Sequence, residues 1–227
     1  MNDPALRLPP RIRALIYDFD NTIVGTERIN EELFTGLLSE EFQVFLTPLE
    51  QEHLHGMPWS GVFDWLDEHR GTGSRRAEIW KRFMEVKRES LRRRAPPVGT
   101  GLDLMFSLAV PQAIVTGSSR EELEMVMHGI GMSGDGFAVI LCDEDCARSK
   151  PDPEGYLRAL HGLGVPAAEA LVFEDSRPGI AAARMAGITV AFIAELASRD
   201  RGADADVRFE TFTEAWAAVK GRIGQPR

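Results

Sequence analysis

Five short apolar segments, four of them separated by helical patterns, constrain the fold of this chain more than any other feature. They cover residues 14–17, 113–115, 139–141, 171–173 and 189–193. Each has the length and composition of a buried β-strand. Strands that alternate with helices along a chain form a parallel sheet with helices on its faces. The pattern therefore predicts an α/β fold with a Rossmann-like, parallel-sheet core.

Capping signals mark the starts of several helices. Ser119 opens a capping-box pattern ahead of an apolar stripe, and Ser176 precedes an alanine-rich stretch. Asp152 and Pro153 place a cap residue before a proline at the first helical position. A last helix is predicted to begin at Thr213. These helices supply the layers that cover the sheet.

The interval between the first and second strands breaks this rhythm. Residues 26–92 carry helical patterns and three of the four tryptophans: Trp59, Trp65 and Trp80. An apolar stripe at helical spacing indicates packing between helices. We therefore predict an inserted α-helical cap domain over 26–92, placed like a lid beside the first strand. The α/β core domain would consist of residues 1–25 and 93–227.

Composition narrows the possible partners. The chain of 227 residues is 44% hydrophobic and 27% charged, as in soluble globular proteins. It has no apolar run approaching the roughly 18 residues that span a bilayer, and its N-terminus lacks a secretion-signal pattern. A net charge of −9 argues against nucleic-acid binding. With only two cysteines, we expect a cytoplasmic protein with reduced thiols. A monomer is the default expectation.

Acidic residues follow two of the predicted strands. Asp18 and Asp20 come directly after the first strand, and Glu174 and Asp175 follow the fourth. Ligands of open α/β sheets bind at the carboxyl ends of the strands. Acids gathered there repel one another unless a cation lies between them, which indicates a divalent metal. Taken alone, Asp18 and Asp20 would equally suit a surface turn.

Two further segments could contact an anion. Thr116, Gly117 and Ser118 follow the second strand and combine hydroxyls with backbone N–H groups at a helix start. An ordinary helix cap would have the same sequence. Lys150, just before a proline-stiffened helix start, could be a fixed positive charge or a surface lysine.

Together these segments closely resemble the haloacid dehalogenase-like hydrolase superfamily, in its β-phosphoglucomutase and sugar-phosphate phosphatase branch. The resemblance covers nearly the whole chain, including a helical cap after the first motif. Its motifs are Asp18-Phe19-Asp20-Asn21-Thr22, Val115-Thr116-Gly117-Ser118, Lys150-Pro151-Asp152-Pro153 and Phe173-Glu174-Asp175-Ser176 with Gly179-Ile180 beyond.

The resemblance implies a role for each matching residue. Asp18 would be the nucleophile that becomes an aspartyl-phosphate, and Asp20 the general acid and base. Mg²⁺ would be held by the Asp18 carboxylate, the Asp20 backbone carbonyl and Asp175, with Glu174 as a further ligand or a neighbour of the ligands. Phosphate oxygens would contact the remaining matched residues: Thr116, Gly117, Ser118 and Lys150.

The favoured function is a magnesium-dependent phosphatase acting on a small phosphorylated metabolite such as a sugar phosphate. The dehalogenase branch of the superfamily lacks an aspartate at the position of Asp20, so its presence favours phosphate chemistry. A non-catalytic binding protein on the same fold is the alternative of another class. Against it, every core catalytic position holds the expected type of residue.

A phosphomutase of the β-phosphoglucomutase type is the other enzymatic alternative. Such mutases carry a lysine before the cap-loop glycine and an arginine shortly after it, both of which contact the sugar phosphate. This chain has His55 before Gly56, and Trp59 follows. The loss of two cations weakens the case for binding a second phosphate. His55, Gly56 and Trp59 remain candidates for substrate specificity, with a surface histidine as the commoner interpretation of His55 and helix packing as that of Trp59.

Overall fold

The chain forms two compact units. The computed structural model describes residues 7–55, 57, 59–197 and 202–223. One unit, here the α/β unit, consists of Met1–Gly25 and Pro96–Arg227. The other, the helical unit, consists of Thr26–Ala95.

The described residues of the helical unit form four α-helices. They are α1 (Glu27–Phe42), α2 (Pro48–Leu54), α3 (Trp59–Arg70) and α4 (Arg76–Arg93). Phe34 of α1 lies edge-on to the ring of Phe63 of α3 and of Phe83 of α4, at centroid distances of 5.8 and 5.3 Å. These contacts form an aromatic core between the helices. The last helix ends one residue beyond the cap boundary predicted at 92.

Six parallel strands form the sheet of the α/β unit, in the order β3-β2-β1-β4-β5-β6. The strands are β1 (Ala14–Tyr17), β2 (Gln112–Val115), β3 (Val139–Leu141), β4 (Ala170–Glu174), β5 (Thr189–Ile193) and β6 (Val207–Phe209). The predicted α/β class and all five predicted strands are confirmed. The sixth strand was not predicted, because it has three residues with the charged Arg208 in the middle.

Helices cover both faces of the sheet: α5 (Arg120–Gly129), α6 (Glu154–Leu163), α7 (Arg177–Met185) and α8 (Phe212–Val219). Side chains alternate along β1. Ile16 belongs to the buried cluster that includes residues of α6 and α7. Tyr17 points the other way and lies 6.4 Å from the ring of Trp216 in α8, with the ring of Phe173 stacked on it at 5.4 Å. Both faces of the central strand are therefore buried.

The predicted helix starts are confirmed at two positions and corrected at two. The hydroxyls of Ser119 and Ser176 accept backbone N–H groups at the starts of α5 and α7, as predicted. Helix α6 begins one residue late, with Pro153 as its N-cap, because the side chain of Asp152 accepts the N–H of Glu154. Helix α8 begins at Phe212 rather than Thr213, because Thr211 caps it.

The sheet topology brings several loops to one place. From β1 the chain order runs outward in both directions, to β2 and β3 on one side and to β4 on the other. Such a reversal opens a crevice at the carboxyl ends of the strands. Residues that follow β1, β2 and β4 therefore meet there. Within the described ranges, no helix is both long enough and apolar enough to span a membrane.

Candidate active site

Lys150 lies at the centre of this crevice. Its Nζ atom donates to Asp18 Oδ1 at 2.6 Å, to Glu174 Oε1 at 2.6 Å and to the carbonyl oxygen of Val115 at 3.0 Å. An ammonium has three donors, so all three are used. Burial lowers the pKa of Lys150, but the Asp18 and Glu174 carboxylates outweigh it and hold this pKa well above its usual value. Lys150 is therefore a fixed positive charge.

Asp18 is a buried carboxylate at the end of the central strand, with 7% of its surface exposed. Burial raises its pKa from 3.8 to about 7, although Lys150 acts in the opposite direction; the neighbouring Glu174 raises it further. Positive charge beyond that of Lys150 would be needed to keep Asp18 fully ionised at neutral pH. The site thus favours an added cation.

Three carboxylates are close enough to share that cation. Oxygens of Asp18, Glu174 and Asp175 all lie within 4.8 Å of one another, and all three residues are buried. Carboxylate oxygens are the ligands that Mg²⁺ prefers in proteins. The chemistry of this donor set fits magnesium.

Asp20 contacts residues 116–118, the turn after β2 that could bind an anion and is called the anion-binding corner below. Ser118 Oγ donates to Asp20 Oδ2 at 2.6 Å, and the Thr116 hydroxyl lies 3.3 Å from the same oxygen. The N–H of Ser118 donates to Thr116 Oγ1 at 3.0 Å. A side chain built at Gly117 would have no neighbouring heavy atom within 4 Å among the described residues, so the turn borders open space. The crevice can admit a ligand here.

Residues predicted to influence specificity lie in the helical unit. His55 Nδ1 contacts Glu31 Oε1, and His55 Nε2 lies 3.6 Å from Glu27 Oε1. Trp59 packs edge-on to Phe34, with ring centroids 5.0 Å apart, and is therefore part of the aromatic core. Gly56, the third predicted position, is outside the described residues.

Several contacts in the crevice were not predicted from the sequence. Tyr156 belongs to none of the motifs, yet its hydroxyl donates to Glu174 Oε1 at 2.9 Å. The side-chain contact between Ser118 and Asp20 was also missed. Glu174 and Tyr156 are 18 positions apart, and Asp20 and Ser118 are 98 apart. A buried polar tip on an otherwise apolar helix face was the one available signal for Tyr156.

Comparisons with known proteins agree with this architecture. The sequence model of the haloacid dehalogenase-like hydrolase family matches residues 15–193. Protein CbbY of Rhodobacter capsulatus is 30% identical over 191 residues, which cover 79% of this chain and 84% of that protein. The phosphorylated carbohydrates phosphatase of Thermotoga maritima is 26% identical over 180 residues, covering 78% of this chain and 82% of that one.

A solved structure shares the fold. The crystal structure of CbbY from Rhodobacter sphaeroides in complex with phosphate superposes with a TM-score of 0.80 and covers 92% of this chain and 99% of that one. The two sequences are 22% identical, a level at which the match shows the fold alone.

Proposed function

This chain belongs to the haloacid dehalogenase-like hydrolase family, and we propose that it is a magnesium-dependent phosphatase acting on a small phosphorylated metabolite. The proposal depends most on one observation. Lys150 Nζ lies 2.6 Å from the buried carboxylates of both Asp18 and Glu174, beside Asp175. A buried nucleophile with a fixed cation beside it suits attack on a phosphate ester.

Magnesium would be held by Asp18, Asp175 and the backbone carbonyl of Asp20. When bound, it supplies positive charge that lets a carboxylate approach a phosphate dianion. Glu174 contributes differently, because both of its oxygens already accept hydrogen bonds from protein donors. We therefore assign Glu174 to the support of Lys150 rather than to the metal.

The phosphoryl group would occupy the corner that follows β2. Its oxygens would accept hydrogen bonds from the Thr116 hydroxyl and from the N–H groups of Gly117 and Ser118, close to the start of α5. The positive end of that helix dipole favours an anion. Lys150, whose Nζ lies 3.0 Å from the carbonyl oxygen of Val115, would contribute positive charge.

Two carboxylates then divide the chemistry. An Asp18 oxygen attacks phosphorus, the ester P–O bond breaks, and Asp20 gives its proton to the departing alkoxide oxygen. In the second half, Asp20 takes a proton from water as the water oxygen attacks the aspartyl-phosphate, and the P–O bond to Asp18 breaks. The Ser118 hydroxyl, 2.6 Å from Asp20 Oδ2, holds Asp20 in place, which leaves the Thr116 hydroxyl for the phosphate.

A sugar phosphate is the substrate class that we propose. A relative that matches 78% of this chain is named for its action on phosphorylated carbohydrates. Hydrolysis is preferred over a mutase reaction because two carboxylates of α1, Glu27 and Glu31, contact His55, the residue at the position where mutases carry a lysine. Negative charge beside this position opposes the binding of a second phosphate.

Phosphate release from p-nitrophenyl phosphate tests the proposal. We expect release in Mg²⁺ and its loss in EDTA, with restoration when Mg²⁺ is returned. The D18N variant is the matched control, since it keeps the side-chain size and removes the nucleophile. Equal release by wild type and D18N would contradict the proposal, and an inactive but folded wild type would favour the binding-protein alternative. Conversion of glucose 1-phosphate to glucose 6-phosphate would instead identify a mutase.

A further inference from the structure

The Glu174 carboxylate is held on every side, although no step of the proposed reaction uses it. The residue is fully buried. Oε1 accepts from Lys150 Nζ at 2.6 Å and from the Tyr156 hydroxyl at 2.9 Å. Oε2 accepts from the N–H of Asp175 at 3.1 Å, and from the N–H and hydroxyl of Ser176 at 3.0 and 2.9 Å. A carboxylate has about four lone-pair sites, so these five donors saturate it.

Gly179 leaves room for this carboxylate. A Cβ atom at position 179 would lie 1.6 Å from Glu174 Oε1 and 2.4 Å from Oε2, far inside van der Waals contact. The N–H of Gly179 also donates to Ser176 Oγ at 3.1 Å, which fixes the hydroxyl that contacts Oε2. Any side chain at position 179 would displace Glu174.

Tyr156 contacts both members of the Lys150–Glu174 ion pair. Its hydroxyl shares Oε1 with Lys150, and the face of its ring lies 5.4 Å from the Lys150 ammonium. The phenol is fully buried, so no water replaces it as a donor at that position. Because Lys150 Nζ donates to both Glu174 Oε1 and Asp18 Oδ1, the position of Glu174 Oε1 influences the position of the ammonium beside Asp18.

We propose that Tyr156 is a positioning residue of this active site. Its hydroxyl fixes the Glu174 carboxylate in the space left by Gly179, and Glu174 in turn holds the Lys150 ammonium on Asp18. The proposal rests on the proposed phosphatase function and deepens it. It names the residue that sets the charge beside the nucleophile, and it makes Glu174 a support for Lys150.

The chain offers a matched control for this role. Its two tyrosines, Tyr17 and Tyr156, are both fully buried. The Tyr17 hydroxyl has no hydrogen-bond partner within the part of the chain that the structure describes. The variants Y17F and Y156F therefore remove the same atom from two buried rings, and only one of those atoms contacts Glu174.

Steady-state kinetics on p-nitrophenyl phosphate in Mg²⁺ separate the two variants. We expect Y156F to lower kcat about tenfold, the scale of one hydrogen bond to a charged group, with KM changed less than about twofold. Y17F should keep the wild-type kcat, and Tm should report that both variants are folded. A Y156F kcat within about twofold of wild type would overturn the proposal.

A double-mutant cycle distinguishes positioning from packing. In the K150M background, Y156F should cause no further loss of kcat, because the path from Tyr156 to Asp18 passes through Lys150. A loss of the same size in both backgrounds would assign Tyr156 to packing alone.

Calorimetric titration of Mg²⁺ tests the role of Glu174 without turnover. E174Q should still bind Mg²⁺, with an affinity at most about 10–100-fold lower, the usual effect of changing a residue beside the ligands, whereas D175N, which removes a ligand, should abolish binding. Loss of Mg²⁺ binding in E174Q would make Glu174 a ligand and overturn the proposal, even where Y156F fails to fold. A wild-type protein without phosphatase activity contradicts the proposed function. An active wild type in which Y156F equals Y17F contradicts the positioning role alone.

Discussion

Replacing Asp18 by asparagine should stabilise the metal-free protein, and the gain should grow with pH. Burial raises the pKa of the Asp18 carboxyl from 3.8 to about 7. The folded protein therefore holds this proton more tightly than the unfolded chain does. The wild type loses stability as pH rises from the unfolded pKa toward the folded one, and the loss is complete above the folded pKa. The D18N amide does not ionise, so the variant avoids this loss.

The expected change in the free energy of unfolding follows from the shift of the Asp18 pKa. One pKa unit corresponds to about 1.4 kcal/mol, and about two units separate pH 5 from the folded pKa. Between about pH 5 and about pH 8, the advantage of D18N in free energy of unfolding should therefore grow by roughly 3 kcal/mol. D18N also removes a partner of Lys150, but the attraction between Lys150 and the ionised carboxylate already acts on the Asp18 pKa of about 7 and adds no further pH dependence.

Thermal unfolding in EDTA measures this effect. At about 2–4 °C per kcal/mol for a protein of this size, the Tm difference between D18N and wild type should widen by roughly 6–12 °C from the lower to the higher pH. D103N, at an exposed aspartate, is the control and should show a constant difference. A D18N difference that is the same at both pH values would refute the assignment of a strongly raised pKa to Asp18.

Three further predictions concern the metal, the acid and the helical unit. Excess Mg²⁺ should raise the Tm of wild type, because a hundredfold excess over Kd adds about 2.7 kcal/mol to the free energy of unfolding. D175N should abolish that rise in Tm, and an unchanged rise would exclude Asp175 as a ligand. D20N should lower kcat/KM, which reports the first half of the reaction, at least ~10²-fold on an alkyl phosphate, and less on p-nitrophenyl phosphate, whose leaving group needs no proton; equal losses of kcat/KM would argue against a general acid. F34A should cost about 3–5 kcal/mol in chemical denaturation, whereas F45A, 66% exposed, should cost under about 0.5 kcal/mol; similar costs would refute the aromatic core.

The sequence predicted the sheet because buried parallel strands carry a simple pattern. β1, β3 and β5 have the predicted bounds, and β2 and β4 are longer by one or two residues. β6 was not predicted, because two apolar residues, one on either side of Arg208, are too few to show the alternation that identifies a strand. The start of α6 was predicted one residue early. An aspartate followed by proline is compatible both with a helix that begins at the proline and with one that begins at the next residue, and here the Asp152 side chain accepts the N–H of Glu154.

The candidate site was predictable as a set of loops but not as a set of contacts. Strand order and parallel register bring Asp18, Thr116 and Asp175 to one edge of the sheet, and that follows from the sequence pattern. Side-chain rotamers do not follow from it. The bonds of Tyr156 and Lys150 to the same oxygen of Glu174 depend on packing between α6 and the sheet, which becomes visible only in three dimensions.

The most direct test of the proposed reaction is to trap the covalent intermediate. In D20N, Asp18 should still attack phosphorus, but the resulting aspartyl-phosphate should be hydrolysed slowly because the base that activates water is missing. After brief incubation with acetyl phosphate and Mg²⁺, followed by acid quenching, peptide mass spectrometry should find one added phosphoryl group on the peptide that contains Asp18. The double variant D18N/D20N should carry none. A phosphoryl group on another residue, or an unmodified peptide from a D20N protein that still turns over, would contradict Asp18 as the nucleophile.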